Sequence, residues 1–198
     1  GKEIKPVYYL YGEEPFFIDL IQEEIEKLVP ADQKDFNFDL LYGSDVSPAQ
    51  VLGIARSFPM MAERRVVIVR DFLKLGDNTD DGNLNDFASY AEQPNPATVL
   101  CLIDTKHPDK RTHLGKILKE SESTGVHEFE VLPVYKLPDW VIDWTRRSHG
   151  KKMEPEAARV LSELAGQYLS LLSTEIDKVC TFVDTSEHIT TDNIKKTS

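Results

Sequence analysis

Short apolar runs alternate with amphipathic stretches over the first two-thirds of the chain, and the alternation stops near Pro133. Val7-Tyr8-Tyr9-Leu10-Tyr11 is a continuous apolar run ended by Gly12, the signature of a buried strand. Pro15 then opens a helix with Phe17, Ile21, Ile25 and Leu28 on one face. Further strands are predicted at 36–41, 66–69, 98–103 and 126–132. Ser47-Pro48-Ala49-Gln50 predicts a helix start, with Ser as the cap, Pro at the first helical position and Gln three residues after the cap. Leu114, Ile117 and Leu118 supply the core stripe of another helix. Residues 76–83, acidic and rich in Asn and Gly, read as a surface loop. Strand–helix alternation of this kind predicts an α/β domain: a parallel five-stranded sheet with helices on both faces.

Beyond Pro133 only helical periodicity remains. Leu137, Trp140, Val141 and Trp144 mark one helix. Val160, Leu161 and Leu164 mark the next, stopped by Gly166. Leu169, Leu172, Ile176 and Val179 mark a third. The expected organisation is an α/β domain over 1–135 and a small three-helix domain over 136–198. The chain starts without an initiator Met and stops at Lys-Lys-Thr-Ser, which reads as part of a longer protein.

Charge narrows the function. The 198 residues carry a net charge of −11. Nucleic-acid binding relies on clustered Lys and Arg against phosphate, so a role at DNA would have to pass through partners. Cys101 and Cys180 lie in apolar stretches without CxxC spacing and read as buried thiols. With no signal peptide and no long apolar run, the expected compartment is the cytoplasm, with no membrane involvement.

A strand, a Gly and a helix at the start of an α/β domain mark the place of a phosphate-binding loop. A working loop needs G-x-x-x-x-G-K-[ST], in which glycines let amides reach phosphate, Lys neutralises it and the hydroxyl holds Mg²⁺. Here the chain has Gly12-Glu13-Glu14-Pro15-Phe16-Phe17-Ile18-Asp19. The second Gly, the Lys and the hydroxyl are missing, two Glu would repel a triphosphate, and Pro15 removes an amide. Asp104 could offer a carboxylate to Mg²⁺ after the fourth strand, but no catalytic Glu follows it. The five His residues, at 107, 113, 127, 149 and 188, lack metal-ligand spacing. No G-x-S-x-G or comparable nucleophile setting occurs. No catalytic residue, metal site or cofactor is expected, and Gly12, Glu13, Glu14 and Pro15 form a degenerate loop.

Several segments together resemble the delta subunit family of bacterial DNA polymerase III clamp loaders. Residues 8–17 (Tyr-Tyr-Leu-Tyr-Gly-Glu-Glu-Pro-Phe-Phe) are similar to the family's opening strand and degenerate loop. Phe58-Pro59-Met60-Met61-Ala62-Glu63-Arg64-Arg65-Val66-Val67 resembles the segment leading into its third strand. Pro108-Asp109-Lys110-Arg111, residues 137–140, and Glu175-Ile176-Asp177-Lys178-Val179 resemble later parts. The resemblance implies an AAA+/RecA-like α/β domain, a three-helix lid and a C-terminal collar domain that this chain lacks. It also implies a replication role: binding the ring-shaped sliding clamp (the beta subunit) and helping to open it, while related subunits hydrolyse ATP. The complex the family serves is a DNA-directed DNA polymerase, a nucleotidyltransferase. Contact with other clamp-loader subunits would run through the collar, and contact with DNA only through the complex. Carried over by position, the clamp-binding residues would be Phe58, Met60 and Met61. Phe58 also shares a helical face with Val51, Ile54 and Ala55, so core and contact both stay open for it. Arg64 and Arg65 read as solvated or ion-paired. Two rival readings are a divergent P-loop NTPase or nucleotide kinase, and an ATPase-like module with another partner.

Overall fold

Residues 4–78 and 84–197 are described in the computed structural model of the chain. The predicted surface loop at 76–83 therefore lies mostly outside the described residues. The chain divides into two compact units, Gly1–Glu130 and Val131–Ser198.

In the first unit the order is β1 (Val7–Gly12), α1 (Pro15–Glu26), α2 (Lys34–Asn37), β2 (Phe38–Tyr42), α3 (Pro48–Arg56), β3 (Arg65–Arg70), α4 (Asn85–Glu92), β4 (Thr98–Asp104), α5 (His113–Glu120) and β5 (Thr124–Phe129). The five strands are parallel and lie in the order β2-β3-β4-β1-β5. Every strand–helix–strand crossover buries one sheet face, so the central strands are apolar at successive positions rather than alternate ones. Val67, Val69, Leu100 and Leu102 face a core with α3, α4 and α5. Val66, Ile68, Val99, Cys101 and Ile103 face a second core with Ile18 and Ile25 of α1.

Three local differences from the sequence expectation have physical reasons. The second strand begins at Phe38 rather than at residue 36, because Asn37 ends a short helical turn and its side chain is committed elsewhere. The fifth strand ends at Phe129 rather than 132, since its partner β1 ends at Gly12 opposite Phe129. Helix α4 carries too few large apolar residues to show in the pattern, yet Phe87, Ala88, Tyr90 and Ala91 are all buried. The Pro108-Asp109-Lys110-Arg111 segment is the turn into α5: Gly115 lies so close to the Asp109 carbonyl that a Cβ there would sit 2.3 Å from its oxygen.

The second unit holds the three expected helices, α6 (Leu137–His149), α7 (Pro155–Ala165) and α8 (Leu169–Val183). It adds α9 (Thr191–Thr197) and a two-residue parallel ladder between β6 (Lys152–Met153) and β7 (His188–Ile189). The second unit is thus a four-helix cluster among the described residues, one helix more than expected. Its core includes Leu137, Val141, Leu161, Leu172, Ile176 and Val179. Gly150 ends α6 in the left-handed conformation (φ +67°), the usual role of glycine past a helix end. Within the Glu175–Val179 segment the apolar residues are core, while Lys178 pairs with Glu175 (2.6 Å) and Asp177 with His149 (2.8 Å). Among the described residues no helix is long and apolar enough to cross a membrane.

Candidate functional site

Two places carry the sequence-derived expectations: the cleft at the carboxyl ends of the strands, and the segment between α3 and β3. In open α/β sheets a ligand crevice lies at the carboxyl ends of the strands. A cleft of about 350 Å³ is found there, lined among others by Gly12, Glu13, Pro15, Asp19, Arg70, Asp71 and Asp104.

Two amides of the turn after β1 are already committed. The Glu14 N–H donates to the Phe129 carbonyl (3.1 Å), and the Phe16 N–H donates to the carboxylate of Glu14 (3.1 Å). Pro15 has no N–H to offer. Glu14 is therefore the N-cap of α1, and its anion sits where a helix start would otherwise receive phosphate. The side chain is buried, and that burial raises its pKa, while the bond from Phe16 works the other way. Gly12 is needed for a different reason than phosphate approach. Its φ is +133°, and a Cβ there would lie 2.1 Å from the Phe129 carbonyl oxygen of β5. The basic group in the cleft, Arg70, is bound to Asp19 and donates to Gln22 Oε1 (2.7 Å). Asp104 accepts the Leu73 N–H on one oxygen (2.7 Å) and the Thr105 N–H on the other (2.7 Å), so it organises the loop at the edge of the cleft. Among the described residues no group of three or more His, Cys, Asp or Glu could hold a metal. Both thiols are buried, and that burial pushes Cys101 up to about 12 and Cys180 up to about 11.

The other place is the segment 57–64. Ser47 and Gln50 close a capping box that starts α3, and Val51, Leu52 and Ala55 bury its inner face. The helix stops at Arg56, so Phe58 lies beyond the helical face that would have made it core. It is 78% exposed, Met60 57% and Met61 97%. Three neighbouring large apolar side chains are thus held in solvent, against the transfer free energy that normally hides them.

The segment is fixed at both ends. Tyr90 Oη donates to the Ala55 carbonyl (3.2 Å), and Asn95 Nδ2 donates to the carbonyls of Arg56 and Ser57 (3.3 Å each), satisfying the last acceptors of α3. At the far end, the wholly buried Asn37 accepts the Met60 N–H on Oδ1 (2.7 Å). Its Nδ2 donates to the Met60 carbonyl (2.9 Å) and to the Gln33 carbonyl (3.1 Å). Met61 follows with φ +53°, in the left-handed region. Arg65 is ion-paired with Asp39 (3.0 Å) and donates to the Phe36 carbonyl (2.7 Å), tying the start of β3 to the start of β2. Asn37 and Asn95 escaped sequence reasoning, since a single Asn carries no periodic signal. Phe36, 61% exposed beside Asn37, escaped it because it reads as the first residue of a strand.

The comparisons agree on one family. The model of the family described as DNA polymerase III, delta subunit, matches residues 8–129. The DNA polymerase III subunit delta of Bacillus subtilis is 32% identical over 202 residues, covering 98% of this chain and 56% of the relative. The solved DNA clamp loader delta protein of Bacillus subtilis superposes with a TM-score of 0.83 at 31% identity, over 98% of this chain and 58% of that one. The chain thus spans a little over half the length of these relatives. The Thermotoga maritima RuvB Holliday junction branch migration motor shares the fold at a TM-score of 0.50 and 16% identity, over 98% of this chain and 60% of that one.

Proposed function

The chain belongs to the DNA polymerase III delta-subunit family, and on that premise we propose that it grips the sliding clamp and helps to open the ring during replication, without hydrolysing ATP. The observation that carries this reading is the apolar tip of Phe58, Met60 and Met61, exposed yet held at both ends by side-chain hydrogen bonds. A fixed apolar tip suits insertion into an apolar pocket, because little ordering entropy remains to be lost on docking. Unbranched, polarizable Met side chains suit a surface that must adapt to a partner. Ring opening follows from binding alone if the tip prefers the open clamp, since a ligand shifts a conformational equilibrium by its differential affinity for the two states. The turn at 12–16 supports the absence of nucleotide chemistry, because Glu14 occupies the helix start with its own anion. Other clamp-loader subunits hydrolyse the ATP and meet this one through a collar beyond the present chain. DNA is reached through the assembled complex, in keeping with the net charge of −11. The working place is the cytoplasm, beside the nucleoid while replication proceeds.

Surface plasmon resonance over the immobilised sliding clamp of the same organism should show saturable binding that Mg-ATP does not change. Calorimetric titration of the chain with Mg-ATP should show no saturable heat. No binding to the clamp would overturn the partner, and a low-micromolar dissociation constant for ATP would overturn the reading of the turn.

A further inference from the structure

The tip presents a conformational difficulty that its own residues do not solve. Met61 adopts φ +53° and is 97% exposed, so neither side-chain packing nor a glycine explains its left-handed backbone. A non-glycine residue there is strained and persists only where the surroundings impose it. Met60, directly before it, has both backbone polar groups taken by one buried amide: Asn37 Oδ1 accepts its N–H and Asn37 Nδ2 donates to its carbonyl. A side-chain amide bonded to both groups of one residue copies a strand-like pairing and removes that residue's freedom to rotate. Asn37 is itself held by its bond to the Gln33 carbonyl and by complete burial. The lock is therefore anchored in the fold, 23 residues away in sequence from the segment it restrains.

We propose that Asn37 is the positioning residue of the tip: its amide clamps the Met60 peptide and thereby sets the left-handed Met61 outward in the conformation that docks. This rests on the reading of the tip as a partner-binding element. Asn37 does not touch the partner. It acts by keeping the competent conformation populated, and the apparent affinity of a site falls in proportion to the fraction of molecules that hold that conformation. If Asn37→Ala leaves the competent form populated about a tenth of the time, binding weakens about tenfold.

The test has two arms. In the unaltered chain, amide hydrogen exchange followed by NMR should find the Met60 N–H at least about a hundredfold slower than in an unstructured peptide, because it bonds to a buried acceptor. Exchange at the unstructured rate overturns the lock, and this arm needs neither a variant nor the clamp. The second arm is a double-mutant cycle on sliding-clamp affinity. Asn37→Ala should weaken binding about tenfold in the native background and distinctly less in a Met61→Ala background, since coupled residues are non-additive. An equal loss in both backgrounds would mean a general structural role and overturn the proposal. Should Asn37→Ala fail to fold, the exchange of Met60 decides. A protected Met60 N–H with no clamp binding by the native chain would retire the partner reading and leave the lock standing as a feature of the fold.

Discussion

Glu14 shows how one side chain decides what a loop does. A phosphate loop leaves its amides open; here the carboxylate of Glu14 accepts the Phe16 N–H and its own N–H is bonded to Phe129. Because burial raises its pKa, the ionised form is disfavoured in the folded protein relative to the unfolded chain. The neutral form therefore favours folding below the unfolded pKa, and that contribution is lost as pH rises through the folded value. Glu14→Gln keeps an acceptor for Phe16 and cannot ionise. It should raise the melting temperature at pH 7 and change it less at pH 4. An equal shift at both pH values would show that the charge is not what is disfavoured. The missing Lys and hydroxyl of a phosphate loop were legible in the sequence, because a motif is a statement about residue types. That Glu14 takes the place of the ligand was not, because it depends on where one carboxylate folds back.

At the scale of elements, two glycines test two different jobs. Gly12 ends β1 with φ +133° against the carbonyl of Phe129, so Gly12→Ala should destabilise the first unit by about 2 kcal/mol or more through strain and collision. Gly53 lies inside α3 with nothing within 4 Å of where a Cβ would go. Gly53→Ala should stabilise by about 0.5–1 kcal/mol, the helix-propensity difference. Urea denaturation of the two variants should show midpoints moving in opposite directions; a shared direction would refute the assignment. The elements themselves were largely legible. Val7–Tyr11, the 66–69 run and the 98–103 run are apolar at successive positions because both of their faces are covered. The capping box at Ser47 was legible because it is a local pattern. Helix α4 was not, because its buried stripe of Phe87, Ala88, Tyr90 and Ala91 has only two large side chains, and the turn at Lys34–Asn37 and the added α9 are too short to show a periodic pattern. The exposed tip was half legible: Phe58 fitted a helical face with Val51, Ile54 and Ala55 as well as a contact role, and it left that face only because α3 stops at Arg56.

On the scale of the whole molecule, a parallel α/β frame carries a turn capped by its own carboxylate and, on another loop, an exposed apolar tip. The frame is shared with the Thermotoga maritima motor at 16% identity, so the fold alone says nothing of activity. Function has to be read from the sites, and the proposed clamp-binding tip is where the reading can be tested. If Met60 and Met61 enter an apolar pocket, each should contribute about 1.5–3 kcal/mol by burial. Replacing both by Ala keeps part of that area, so the loss should be about 2–4 kcal/mol, or roughly 30- to 1,000-fold in affinity. The fold should survive, because two exposed side chains add little to the core. The deciding measurement is the affinity of the Met60→Ala/Met61→Ala variant for the sliding clamp by surface plasmon resonance, with its melting temperature followed by circular dichroism. Binding weakened by that factor at an unchanged melting temperature is the predicted result; undiminished affinity, or a loss accompanied by a large fall in melting temperature, would contradict it.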